Sequence, residues 1–337
     1  MKNVASMVAR VASLIATPLV PADYVSLVRP LVLANRARVE AVRDEAPGVR
    51  TLVLRPGRGW RTHRAGQHVR IGVAVDGRIA TRTFTIASSP DSRDLEITVK
   101  VQGRVSRALV EATPVGTIIS LSLASGEFTI PEGAPIRPLF ITAGSGITPV
   151  MSMLRTFALR GTMPDVAHVH FAREHVIFNA ELRALAAAHP TYGLTIIDTS
   201  VDPRRLTAAL LAELVPDFAT RTAYACGPQR LLEQLPVQAR TEHFGAVLAP
   251  VADAAPGLVQ IGAAKLRSDG RTPLLRLAEE AGLAPRHGCR MGICHTCDVT
   301  LKSGCVRDLR TGARIDEPGT KIQLCVCAAS GDVALSD

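Results

Sequence analysis

Aromatic side chains are scarce in this 337-residue chain: eight Phe, three Tyr and one Trp, 4% in all. That is too few for a stacking platform for single-stranded nucleic acid. Cysteine is sparse too. Seven residues exclude a disulfide scaffold, and the odd count excludes full pairing. No apolar run of about 18 residues is free of charge, so no membrane-spanning helix is expected. Internal repeats and low-complexity tracts are absent. With 47% hydrophobic and 20% charged residues, the composition excludes a mainly disordered chain. At ~100–200 residues per domain, the length implies two or three domains.

The net charge of +9 is uneven: +8 on residues 1–140, −1 on 141–255 and +2 on 256–337. An anionic partner or membrane surface at the N-terminal end fits this better than nucleic acid along the whole chain. Near the start, Val4, Met7, Val8, Val11, Leu14 and Ile15 share a helical face that Lys2 and Arg10 interrupt. Arg10 inside the would-be apolar core argues against a secretory signal. The expectation is a helix packed on its own protein, with an interfacial membrane anchor as the alternative.

Pro18, Pro21 and Pro30 break regular structure and end an extension over residues 1–36. From Arg38 the period becomes two, with strands expected at Val49–Leu54, Val69–Val75, Arg82–Ile86, Leu95–Val101 and Ile118–Leu123. Short strands between turn-rich clusters predict an antiparallel β-barrel over 37–136. Beyond Pro138, apolar strands alternate with helical stretches. That pattern predicts an α/β domain with a parallel sheet over 137–245. Residues 246–256, rich in Ala and Pro, read as a semi-rigid linker. Strand-forming segments at Leu258–Ile261 and Asp298–Leu301, with a helix over Pro273–Ala281, suggest an α+β domain over 257–337.

Six of the seven cysteines lie in that last segment. Cys289, Cys294 and Cys297 have the spacing C-x4-C-x2-C, and Cys325 follows after 27 residues. This is the plant-type arrangement of thiolates around a [2Fe–2S] cluster. Gly288 and Gly292 allow close approach of backbone amides to the bridging sulfides. A zinc site would more usually show two CxxC knuckles or a Cys/His set. The segment from Gly257 resembles plant-type ferredoxin domains, which implies the β-grasp fold. Cys325 is chosen as the fourth ligand over Cys327 because it follows an apolar strand as the family's last ligand does. Cys305 and Cys327 are expected to be buried thiols.

Arg82-Thr83-Phe84-Thr85 resembles the R-x-[YF]-[ST] motif of ferredoxin reductase-type flavoproteins, with Gly66-Gln67 upstream and Gly103-Arg104-Val105-Ser106 downstream. The resemblance implies Arg82 on a flavin phosphate, Phe84 on the isoalloxazine and the Thr85 hydroxyl near flavin N5. It also implies a pyrophosphate held near Lys100 and Gly103, by the amides of Arg104, Val105 and Ser106 and the Ser106 hydroxyl. That second phosphate favours FAD over FMN. Gly144-Ser145-Gly146-Ile147-Thr148-Pro149 and Cys226-Gly227-Pro228 match the same family's nucleotide motifs. They imply Gly144, Gly146 and Thr148 at a phosphate, and Cys226 near the nicotinamide with Gly227 and Pro228. Phe244, in Glu242-His243-Phe244, resembles the residue that covers the second flavin face. Arg173, and Arg204 with Arg205, are candidates for a 2′-phosphate, which favours NADPH over NADH.

Residues 38–337 thus resemble bacterial flavo-iron–sulfur reductases with a C-terminal ferredoxin module. The resemblance implies an NAD(P)H-dependent oxidoreductase passing electrons through FAD and the cluster to a protein acceptor, with Thr85 and Cys226 at the hydride step. Thr17-Pro18-Leu19-Val20-Pro21-Ala22-Asp23-Tyr24 looks like the leader of reductases serving membrane fatty-acid desaturases. A membrane di-iron desaturase is therefore the preferred acceptor. A Rieske oxygenase or a cytochrome P450 is the alternative. A non-catalytic redox-sensing iron–sulfur protein is the reading from another class. Unpaired cysteines imply a cytoplasmic setting, with peripheral contact at the inner membrane face.

Overall fold

A computed structural model describes residues 36–336, apart from 76–77, 132, 134–135, 245–247, 249–250, 288–289, 291 and 293–294. The N-terminal helical face and the 17–24 segment lie outside the described residues, as do Gly288, Cys289 and Cys294.

The first layer is antiparallel. Strands β1 (Arg36–Ala46) and β2 (Val49–Pro56) form a hairpin whose turn is Pro47-Gly48, with Gly48 at φ +68°. Proline and a left-handed glycine suit so short a connection. Then come β3 (His68–Val75), β4 (Arg78–Thr85), β5 (Leu95–Lys100), helix α1 (Arg104–Glu111) and β6 (Ile118–Leu121). The sheet order is β4-β3-β6-β1-β2-β5. A bridge between Ile86 and Ile97 joins its two edges, so the sheet closes as a barrel. Alternation places Leu52, Leu54, Ile71 and Ile97 in the interior, all fully buried. Helix α1 stands where the sequence suggested only a phosphate-wrapping loop. Val105, Leu109 and Val110 bury one of its faces against the barrel.

The second sheet is parallel. Its elements are β7 (Pro138–Ala143), α2 (Thr148–Arg160), β8 (Val166–Ala172), α3 (Asn179–Ala188), β9 (Tyr192–Asp198), α4 (Ala208–Leu214), β10 (Thr222–Gly227), α5 (Gln229–Glu233) and β11 (Ala239–His243). The order β11-β10-β7-β8-β9 puts the topological switch between β7 and β10. All seven residues of β8 are buried, as expected for a strand covered on both faces.

The third sheet is mixed: β12 (Gly257–Ile261), β13 (Ala264–Ser268), helix α6 (Leu274–Glu280), β14 (Asp298–Asp308), β15 (Arg314–Ile315), β16 (Lys321–Gln323) and β17 (Cys327–Leu335). Strand β14 runs well past Leu301, where the sequence reading stopped. The extension passes a bulge at Gly304 (φ +88°), where a Cβ would sit 2.0 Å from the Asp332 carbonyl oxygen. The bulge breaks the period-two pattern without ending the strand.

Helix α2 docks the nucleotide layer on the barrel. Ser152 donates to the Ser88 carbonyl (2.6 Å), Arg155 to the Ala87 carbonyl (2.9 Å), and Thr156 to the Ser89 hydroxyl (3.2 Å). No helix among the described residues is long and apolar enough to cross a membrane.

Candidate active site

The end of β4 carries Arg82, Phe84 and Thr85 to a cavity of about 280 Å³. Lys100, Gly103 and Ser106 reach it from the β5–α1 turn, Ser145 and Thr148 from the turn after β7, and His68, Glu242 and Phe244 complete the wall. Residues more than 150 positions apart therefore share one surface. Two buried polar atoms of its lining residues, Glu242 Oε2 and Arg290 Nε, have no partner among the described residues. Such orphans fit a polar ligand seated in the cavity.

At the β5–α1 turn, the first-turn amides of Val105 and Ser106 have no acceptor within the helix. The Ser106 hydroxyl is already engaged. It donates to the Gly103 carbonyl (3.0 Å) and accepts from the amides of Gln102 (2.8 Å) and Gly103 (3.0 Å). The hydroxyl shapes the turn, and the first-turn amides beside it are available as anion donors.

A second cavity, also about 280 Å³, opens at the switch between β7 and β10. Gly144, Gly146, Gly227 and Pro228 line it, with Lys100 and Phe244. Gly146 is required there because a Cβ would lie 2.2 Å from the Cys226 carbonyl oxygen. Phe244, 45% exposed, borders both cavities and stands between them. Thr148 turns inward and donates to the Ser145 carbonyl (3.0 Å), fixing the start of α2.

Cys226 borders neither cavity. It lies two residues after Tyr224, so both point to the same face of β10, and both are fully buried. Burial, with Glu242 nearby, pushes its thiol well above the ordinary range. Its side chain packs in the core, next in sequence to Gly227 and Pro228 of the second cavity. Glu242 is raised by burial too, against the opposing pull of His68, whose Nδ1 lies 3.3 Å from Oε1. This pair joins β3 of the barrel to β11 of the nucleotide layer.

Arg173 follows β8, with its side chain 80% exposed and Glu174 at 3.8 Å. It borders neither cavity. Arg204 is tied to Asp202 (2.8 Å) and Glu213 (3.0 Å), and Arg205 to the Pro203 carbonyl (2.6 Å).

Of the four proposed cluster ligands, Cys297 and Cys325 are described, and their thiols hydrogen-bond. That contact brings the Cys297 thiol down to about 6. Cys327 opens β17 opposite Asp308, and burial pushes its thiol up to about 12. Cys305 is buried as well. Two converging thiols, one readily ionised, fit a thiolate-bound cluster. The sequence reading missed Arg290, which reaches the first cavity from between Cys289 and Cys294. No local pattern signals it.

Three family models match in the same order as the three sheets: an oxidoreductase FAD-binding domain over residues 59–130, an oxidoreductase NAD-binding domain over 140–235, and a 2Fe-2S iron-sulfur cluster binding domain over 263–330. An NADPH oxidoreductase of Mycobacterium tuberculosis is 42% identical, across 97% of this chain and 91% of its own. A glycine betaine monooxygenase reductase subunit of Chromohalobacter salexigens is 28% identical, across 75% and 81%. The solved phthalate dioxygenase reductase shares the fold, with TM-score 0.59 and 23% identity across 90% of this chain and 97% of that one. The chain belongs to the ferredoxin reductase-type oxidoreductases that unite FAD-binding, NAD-binding and 2Fe-2S domains.

Proposed function

We propose that this reductase takes electrons from NADPH and delivers them singly, through FAD and its [2Fe-2S] cluster, to a separate oxygen-activating iron enzyme. The supporting observation is the first cavity, whose wall combines the barrel, the nucleotide layer and one residue of the cluster segment. Bound FAD supplies the exchange between two-electron and one-electron chemistry. Arg82 and the amides at Val105 and Ser106 would hold its phosphates, Phe84 would pack on the ring, and the Thr85 hydroxyl would orient the ring edge. Phe244, on the border with the second cavity, would cover the other face and exclude water. Cys289, Cys294, Cys297 and Cys325 would hold the cluster.

Arg173, whose side chain extends into solvent after β8, is the arginine that favours NADPH; Arg204 is tied to Asp202 and Glu213. The name of the mycobacterial relative agrees. For the acceptor, the 17–24 segment and the +8 charge of the first 140 residues favour a membrane di-iron desaturase reached from the cytoplasmic face. The name of the betaine monooxygenase reductase relative supports a second reading, an oxygenase acceptor such as a Rieske oxygenase or a cytochrome P450.

Anaerobic addition of NADPH should bleach the flavin band and then the cluster band. No bleaching with either nucleotide would defeat the reductase reading, and faster bleaching with NADH would defeat the NADPH assignment. Reconstitution decides the acceptor: efficient reduction of a soluble oxygenase but never of a desaturase would remove the desaturase.

A further inference from the structure

The segment that carries the cluster ligands also contributes a side chain to the flavin cavity. Arg290 sits at φ +58°, a left-handed conformation that a non-glycine residue holds only where its surroundings enforce it. Its two terminal nitrogens form a fork on the Glu279 carboxylate of α6, and Nη2 also lies 3.2 Å from His287 Nε2. The fork pins the guanidinium to the ferredoxin core. Its Nε–H is buried and has no partner among the described residues. Arg290 lines the same cavity as Arg82, Phe84 and Thr85, more than 200 residues earlier. A planar guanidinium held on one edge has a fixed direction for its remaining N–H.

We propose that Arg290 is a flavin-binding residue whose guanidinium donates to an oxygen of the bound flavin nucleotide. The proposal rests on the reading of this cavity as the flavin site. It makes that site composite: the ferredoxin domain supplies part of the flavin's binding energy, and the flavin in turn helps seat the cluster segment. Linkage requires the two effects to be reciprocal. It also keeps the cluster segment against the flavin while the acceptor docks elsewhere.

The test is FAD binding to the deflavinated full-length protein, followed by flavin fluorescence. Arg290→Met keeps the apolar stem and removes every donor. Its Kd should rise at least about tenfold, the loss expected for one charge-assisted hydrogen bond. Arg290→Lys, which keeps the charge but neither the Glu279 fork nor the directed N–H, should lose affinity comparably. Failure of the wild-type protein to bind FAD would overturn the flavin assignment of the cavity itself. Normal wild-type binding with Arg290→Met within about twofold would overturn only the role of Arg290. If Arg290→Met purifies without its cluster, Cys294→Ser decides, because it loses the cluster while keeping Arg290. Near-wild-type FAD affinity in Cys294→Ser assigns the loss to Arg290, and an equal loss in both variants overturns the proposal.

Discussion

Arg155 of α2 is the side chain on which the seating of the nucleotide layer most depends. Its Nε and Nη2 form a fork on Glu181 at 2.7 Å each, and Nη1 reaches Glu96 of the barrel at 2.8 Å and the Ala87 carbonyl at 2.9 Å. The guanidinium also lies over the Phe178 ring, 5.1 Å from its centre. The side chain is only 15% exposed and Glu96 18%. Removing one partner of a fully buried pair costs about 3–5 kcal/mol. Here the loss is smaller, because Glu96 keeps its fork from Arg43 and Glu181 is 40% exposed and can rehydrate. Arg155→Met should therefore destabilise the flavin–nucleotide unit by roughly 2–3 kcal/mol. At about 2–4 °C per kcal/mol, that is a drop in Tm of roughly 5–10 °C. The sign of the pH dependence follows from Glu96. Burial pushes its carboxyl up, but Arg43 and Arg155 together hold it below the ordinary carboxylate range. A depressed carboxyl contributes stability above its unfolded pKa and loses it as pH falls through the folded value. The gap between wild type and Arg155→Met should thus be widest near neutral pH and should close as the carboxylates protonate. Thermal and urea unfolding of the FAD-loaded protein at pH 7.5 and pH 4 measure both quantities. A loss under about 1 kcal/mol at neutral pH, or an equal gap at both pH values, would refute the reasoning.

Three further outcomes follow from the geometry. Cys325→Ser should lose the cluster's visible absorbance and EPR signal, while Cys327→Ser should retain both, because Cys325 is the thiol that meets Cys297. Gly146→Ala places a methyl 2.2 Å from the Cys226 carbonyl oxygen, so the crevice must open. KM for NADPH should rise about tenfold or more with FAD content unchanged. Burial raises the Glu242 carboxyl, so the native state holds its proton more tightly than the unfolded chain, and stability falls as pH rises through the folded value. Glu242→Gln removes that loss, so its stability relative to wild type should improve from pH 4 to pH 8 in denaturant titrations.

Much of this arrangement is legible without coordinates because it is local. A strand that alternates, or a turn that needs glycine beside a phosphate, leaves its mark within a few residues. The barrel strands, the helices α2 and α3 and the C-x4-C-x2-C spacing are of this kind. Helix α1 escaped because its eight residues follow a glycine turn that also reads as an anion loop, and only burial of Leu109 and Val110 against the barrel distinguishes the two. Strand β14 was cut short because the Gly304 bulge breaks the period while its partner β17 keeps the strand paired.

The sequence by itself determined the modules, their order and the chemistry each can hold, since those depend on residue types at short spacing. Tertiary structure alone decided how the modules meet. It turned the Cys226 side chain into the core and the Ser106 hydroxyl onto its own turn. It placed Cys325, not Cys327, against Cys297, and brought Arg290 to the wall shared with Phe84. The last of these depends on which face of a turn meets another domain. That is set by packing between segments hundreds of residues apart, where local periodicity carries no information.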